Sequence, residues 1–243
     1  MIKEIYLDDV AGRLRGVVLK KTPRMVSAGM RGDFVDVPGR DGAAWVSDGG
    51  LEGVEVTAGL YVYEDVSLDD VLRWIRRASR VRWGHNAWEY RVEPAALSLE
   101  VEPWEDFDGE AGWEIEVKWQ AEPYRYVWPE VGAIRVEAST GGTIQNNCTA
   151  ASEPLILVRG TGAGVVQIGD FAATISAIPA DGILLDSRRR MASSPDGLTM
   201  ETGLVSLAVT AAGRWPLLQP GANRVTLSGG VDHVEVTPRF RWR

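Results

Sequence analysis

Three clusters in the sequence have the residue types and spacing of working sites. Asp106, Asp108 and Glu110 set carboxylates at alternate positions, as the start of a calcium-binding loop does. Gly160, Gly162 and Gly164 form a glycine run of the kind that admits a phosphate to a helix N-terminus. Arg73, Arg76, Arg77 and Arg80 could present guanidinium groups to a phosphate. Each cluster fails on its context. Ala111 stands where a calcium loop needs Gly, and Val117 where it needs the closing Glu. The glycine run leads into Val165-Val166-Gln167-Ile168 and then Gly169-Asp170, so no helix start is available to hold a phosphate. The arginines sit where a helix should end, and read as a solvated flank that pairs with the protein's own acidic surface.

General catalytic chemistry is equally poorly supplied. His85 and His233 are the only histidines and lie far apart. Cys148 is the only cysteine, so no internal disulfide is possible, and a reducing compartment at synthesis is expected. No G-x-S-x-G elbow is present. Carboxylate pairs suited to glycoside hydrolysis exist in any acidic β protein, and only a measured separation would make one specific. Catalytic, cofactor and metal residues are therefore all assigned as none.

The charge is unevenly placed. Of the net −8, residues 1–125 carry 16 Lys and Arg against 24 Asp and Glu, whereas residues 126–243 carry 10 of each. An acidic half argues against nucleic-acid binding there, since phosphate contacts need clustered cations. Hydrophobic residues make up 45% and charged residues 25%, the composition of a folded globular chain. No apolar run approaches the roughly 20 residues of a membrane span, and Met1-Ile2-Lys3-Glu4 opens directly into an alternating strand with no secretory signal expected.

The elements that must position these residues are mostly strands. Ile5 and Leu7, Val17 to Leu19, Leu51 to Tyr63, Tyr90 to Val92, Leu97 to Val101 and Trp113 to Trp119 read as strands in the first half. In the Leu51–Tyr63 stretch, Val54, Val56, Tyr61 and Tyr63 mark the alternation. The spacing of Leu68, Val71, Leu72, Ile75 and Ala78 predicts one helix over residues 67–80, with Ser67 as its N-cap and Asp69 and Asp70 in its first turn. Seven of the ten tryptophans and all the lysines precede Tyr126, and small residues dominate after it. This shift predicts a boundary near residues 125–135, giving domains 1–128 and 129–243. In the second half, Pro154 to Val158 and Val165 to Ile168 predict a strand pair about a glycine turn. Ile183 to Leu185 predicts a further strand, and Leu204 to Thr210 leads to the terminal hairpin. Pro220 to Asn223 is a turn, and Arg224 to Ser228 with Asp232 to Val236 a closing hairpin about Gly229-Gly230. The fold class is mainly β, with two β-sandwich-like domains, the first carrying the helix.

Several stretches together resemble the distal tail protein (Dit) family of long-tailed, siphovirus-type phages and prophages. They are Val37-Pro38-Gly39-Arg40-Asp41-Gly42, the strand Val117 to Tyr126 ending in Pro123-Tyr124-Arg125-Tyr126, and Asn147 to Ile168 with Glu153-Pro154 before the strand pair. Asp186 ending an apolar strand, Trp215-Pro216 with Leu218 to Asn223, and the final Arg241-Trp242-Arg243 complete the set. Pro238-Arg239-Phe240 before that ending, and Trp215 in place of other aromatics, depart from the family pattern.

The resemblance implies a structural hub at the virion tail tip, made in the cytoplasm of a bacterial host. Its first domain would close into a homohexameric ring and its second would be a galectin-like sandwich on the periphery. The ring would join the tail tube and tape-measure proteins to tail-lysin, fibre or receptor-binding proteins. DNA would only pass through the channel, with no sequence-specific nucleic-acid binding and no membrane contact. Trp45, Trp83 and Trp113 are candidates for interface anchors, and Arg241-Trp242-Arg243 for a tether. The rival reading is a carbohydrate-binding host-adhesion module, since exposed aromatics on a β-sandwich can stack on sugar rings.

Overall fold

The computed structural model describes residues 4–36, 43–84, 86–105, 111–208 and 215–243. His85, the Val37–Gly42 stretch and the carboxylates Asp106, Asp108 and Glu110 lie outside the described residues. The chain is mainly β, and its contacts divide it into two units, Met1–Trp128 with Arg243, and Pro129–Trp242.

In chain order the first unit contains β1 (Ile5–Leu7), β2 (Val10–Ala11), β3 (Val17–Leu19), β4 (Met30–Asp36), β5 (Ala43–Leu51) and β6 (Val54–Tyr63). The helix α1 (Leu68–Arg77), β7 (Arg80–Trp83), β8 (Trp88–Glu105) and β9 (Ala111–Val127) follow. The sheet order is β2-β1-β7-β8-β9-β6-β3, and β4 and β5 form a separate two-stranded sheet. One parity of β6 is buried throughout: Val54, Val56, Ala58, Leu60 and Val62 meet Ile115, Val117 and Trp119 of β9. Tyr61 and Tyr63 therefore occupy the opposite face from Val54 and Val56, and Leu60 and Val62 hold the expected core positions. Val71 and Ile75 of α1 close over this face at zero to one per cent exposure.

The helix starts where expected and stops three residues early. Ser67 Oγ accepts from the Asp70 N–H, and the acidic first turn and basic last turn suit the helix dipole. At the far end Ala78 is already extended. The reason lies in Asp8, whose carboxylate takes the Ser79 N–H at 3.2 Å, the Ser79 hydroxyl at 2.8 Å and the Arg80 N–H at 2.9 Å. Those donors leave the helix and start β7. Asp8 can reach them because it and Asp9 both adopt positive φ, 48° and 67°, in the two-residue turn joining β1 to β2. The segments expected as separate strands at residues 90–92 and 97–101 are one strand, β8, with register shifts at Tyr90/Val92 and Val92/Leu97. Pro94, which has no N–H to give to a ladder, falls inside the second irregularity.

The second unit contains β10 (Ile134–Glu137), β11 (Gly142–Asn146), β12 (Leu155–Ile168), β13 (Phe171–Ile178), β14 (Ile183–Asp186), β15 (Met191–Ser193), β16 (Val205–Leu207) and β17 (Gly221–Thr237). Two expected hairpins are absent from it. The glycines at 160–164 and at 229–230 do not turn the chain back; they lie inside β12 and β17, which pair with each other along their lengths. Gly160 (φ 154°), Gly162 (φ 76°) and Gly229 (φ 69°) take backbone conformations that other residues avoid. A Cβ on Gly230 would strike the Thr161 carbonyl, and one on Gly164 would lie 2.8 Å from Ser228 O. Glycine is thus used for close backbone approach and a shared bulge, not for a reversal.

That bend gives the unit its two layers. On one side of it, Leu155–Arg159 of β12 lies between β17 and β14, with β10 outside β17 and β15 outside β14. On the other, Gly164–Ile168 lies between β17 and β13, with β11 outside β17 and β16 outside β13. Ile156, Val158, Ile183, Leu185, Val234 and Val236 of the first leaf share one core with Ile144, Val166, Ile168, Ala173, Ile175 and Val225 of the second. One sheet folded at a glycine crease is how this sandwich is made.

The turn into β17 is locked by a buried amide. Asn223 Oδ1 accepts the Gln219 N–H at 2.8 Å, while its Nδ2 donates to the carbonyls of Gln219, Gly221 and Ile144.

Candidate assembly surface

In the first unit the β4–β5 hairpin is the most unusual structure. Each strand pairs only with the other, and a lone two-stranded hairpin is marginally stable in water. Its register sets Phe34 opposite Trp45 and Val35 opposite Ala44. Phe34 and Trp45 meet edge to face with centroids 5.0 Å apart, yet they remain 72% and 47% exposed. Met30, Val35 and Val46 are exposed as well. Trp45 packs over Gly32, where any Cβ would collide with the indole. A salt bridge between Arg31 and Asp48 holds the root. Large exposed apolar side chains on a strand pair with two open edges mark a surface for another chain.

The second feature is the outer face of the β6–β9–β8 strands. Glu100 stands opposite Glu116 and Glu102 opposite Glu114, and Glu55 lies on the same face of β6. Lys118 bonds Glu116 at 3.0 Å and Lys20 bonds Glu114 at 2.5 Å. The Lys20 ammonium is held above its ordinary pKa first by that hydrogen bond. The strands of this face carry five carboxylates against two ammonium groups, with Lys21 and Arg24 beside Glu55, Glu114 and Glu116 in a cleft at its β6 side. Like charges directly across a ladder destabilise a sheet, so the arrangement has no folding rationale.

Of the candidate anchors, only Trp45 is an exposed side chain. Trp83 is in the core, 3% exposed, packed on Trp88 and Tyr90. Trp113 is partly buried against that core. Of the arginine run, Arg73 pairs with Asp70 and Arg80 with Asp9. The terminal Arg241 is 8% exposed, donating to Ala151 O at 2.8 Å and to Glu153 at 3.0 Å. Cys148 is buried, and burial pushes its thiol pKa up, away from the reactive thiolate. Among the described residues no cluster of three or more His, Cys, Asp or Glu is arranged to hold a metal ion, and no helix is long and apolar enough to cross a membrane.

The sequence signal for the acidic face was present as strict alternation in Ser98-Leu99-Glu100-Val101-Glu102 and Glu114-Ile115-Glu116-Val117-Lys118. What it lacked was the register that sets Glu against Glu. The hairpin carried no such signal, because alternation cannot tell a strand that joins a sheet from one that stays outside.

No protein-family model matches the chain, and no curated protein sequence matches it. Its structure is similar to the crystal structure of phage SPP1 Dit (gp 19.1), with a TM-score of 0.65 and 13% identity over 100% of both chains. That protein is described as a hub of the adsorption apparatus in phages that infect Gram-positive bacteria. The fold expected from the sequence resemblance, that of a distal tail protein, is the fold the chain has.

Proposed function

We propose that the chain is a structural, non-catalytic hub of a phage tail tip. Residues 1–128 form a homohexameric ring and residues 129–243 a galectin-like peripheral domain. The ring joins the tail tube and tape-measure end to tail-lysin, fibre or receptor-binding proteins. The observation that carries the reading is the β4–β5 hairpin, an exposed aromatic arm outside the first sheet, on a chain whose whole length shares the Dit fold. The anionic face of β6, β8 and β9 suits a channel wall that lets a polyanion pass without holding it.

Light scattering and electron microscopy test this. Alone or with its tail tube protein, the chain should form closed rings of six times its 26.6 kDa mass, and Phe34→Asp with Trp45→Asp should leave folded monomers. A monomer at every concentration, with the tube protein present, would remove the hub reading.

One observation favours carbohydrate binding as a second activity. A cleft of about 330 Å³ in the second unit is lined by Trp215 with Thr202 and Ser206, which offers a ring for stacking and hydroxyls for a sugar. A glycan array probed with the full chain and with Trp215→Ala decides it.

A further inference from the structure

Helix α1 carries a second stripe beside the one that closes the core. Asp70, Arg73, Trp74 and Arg77 follow one another at i, i+3, i+4 and i+7 and so share a face. That face lines a cleft of about 380 Å³ together with Asp8 in the β1–β2 turn, Val10 of β2, and Arg15 at the end of a 3-10 turn (Gly12–Arg15). Both carboxylates in the cleft are already engaged. Asp70 accepts from Arg73 at 2.6 Å, and Asp8 accepts from Ser79 and Arg80. Arg15 and Arg77 are exposed, and their side chains make no ion pair among the described residues. Trp74 is half-buried against the core, and its indole N–H meets no acceptor among the described residues. Two guanidinium groups and an indole, gathered from two distant segments, thus leave donors and apolar surface with nothing in this unit to meet.

We infer that this cleft is a docking site for an acidic peptide segment of a partner protein, one with two carboxylates flanking an apolar side chain. Arg15 and Arg77 present forked N–H groups that match carboxylate geometry, and Trp74 with Val10 presents the apolar surface. Arginine and tryptophan are the side chains that most often anchor an interface. Because Asp8 and Asp70 occupy their own donors, the cleft has two free cations, and that number sets how many carboxylates it takes. Charge complementarity selects a peptide over a nucleic acid. Residues 1–125 carry 24 Asp and Glu against 16 Lys and Arg, so a strand of phosphates would run out of the cleft into like charge. A short peptide ends its charge inside it. The inference stands on this cleft alone and makes no use of the ring reading.

A cell-displayed library of random heptapeptides, selected on the full-length chain and then sorted against the double variant Arg15→Ala with Arg77→Ala, tests this. Both side chains are exposed, so the double variant should melt as the parent does. If it does not fold, Arg15→Gln with Arg77→Gln keeps the apolar stems and reads the same contact. Peptides that lose about tenfold or more in affinity, the effect of one lost charge-assisted pair, should carry two acidic residues about an apolar one. Arg24→Ala with Arg76→Ala removes the same charge outside this cleft and should leave those peptides bound. The inference is overturned if no selected peptide distinguishes parent from double variant, if those that do are not acidic, or if the matched control loses them equally. A short oligothymidylate that binds more tightly than the selected peptides, and is lost in the same variant, would make the cleft a nucleic-acid site instead. Light scattering supplies the last arm: self-association present in the parent and abolished in the double variant would make the cleft a contact between copies, which also overturns the inference. A parent that never forms rings yet binds the acidic peptides through Arg15 and Arg77 would remove the hub reading and leave this one standing.

Discussion

Glu100 and Glu116 stand directly opposite one another on β8 and β9, both exposed. Glu102 and Glu114 repeat the pairing two residues on. Cross-strand pairs of like charge cost a sheet stability, and opposite charges at the same positions return about 0.2–1 kcal/mol. Glu100→Lys should therefore raise the melting temperature by about 1–4 °C at low salt, with the gain shrinking as ionic strength screens the pair. A scan at low and high salt checks it. On the hub reading the same change should impair DNA passage in an assembled tail, the usual trade when a destabilised surface serves function.

Gly230 sits against the Thr161 carbonyl at the crease where β12 and β17 bend together. Gly230→Ala puts a methyl group into that contact and should cost about 2–3 kcal/mol, because neither backbone can retreat without opening the β12–β17 ladder. The added methyl of Gly132→Ala meets nothing within 4 Å and should stay within about 0.5 kcal/mol of the parent. Urea denaturation of the two variants side by side measures the difference.

Asp186, at the end of β14, accepts from Arg239 at 2.8 Å and from the Arg188 and Arg189 N–H groups at 3.0 and 3.3 Å. Burial by itself would raise its carboxyl pKa. The Arg239 hydrogen bond, the two backbone donors and the Arg239 charge overcome that and hold it below the ordinary value. A carboxylate with a depressed folded pKa stabilises the native state fully above its unfolded pKa of about 3.9, and the contribution fades as pH falls through the lower folded value. Asp186→Asn should cost about 2 kcal/mol near neutral pH. The gap between its melting curve and that of the parent should narrow below about pH 4, and a gap that stays constant through acid pH would show the ion pair contributes nothing.

The sequence alone determined the helix and the strands whose local spacing is regular, while β4, β5 and β13 were not legible in it. Val54 to Val62, Ile115 to Trp119 and the Ser67-capped helix declare themselves by period and cap. For histidine- or thiol-based chemistry the sequence offered two histidines far apart and a single cysteine. Its resemblance to distal tail proteins, carried by short stretches spread over the chain, pointed to the fold that the structure has.

Only the tertiary structure decided what the glycines do. Gly160 to Gly164 and Gly229-Gly230 have the composition of turns. Whether such a segment reverses the chain or creases a long strand depends on what packs against it, and each of these segments packs against the other. The same limit hid the acidic face and the arm. Alternation gives the faces of a strand and says nothing of its neighbour, so Glu opposite Glu and Phe34 beside Trp45 became visible only once register was known. The helix end was misplaced for a related reason: Asp8, some seventy residues away, captures the donors of Ser79 and Arg80. Local sequence sets the backbone's preference, and contacts between distant residues settle where that preference is overruled.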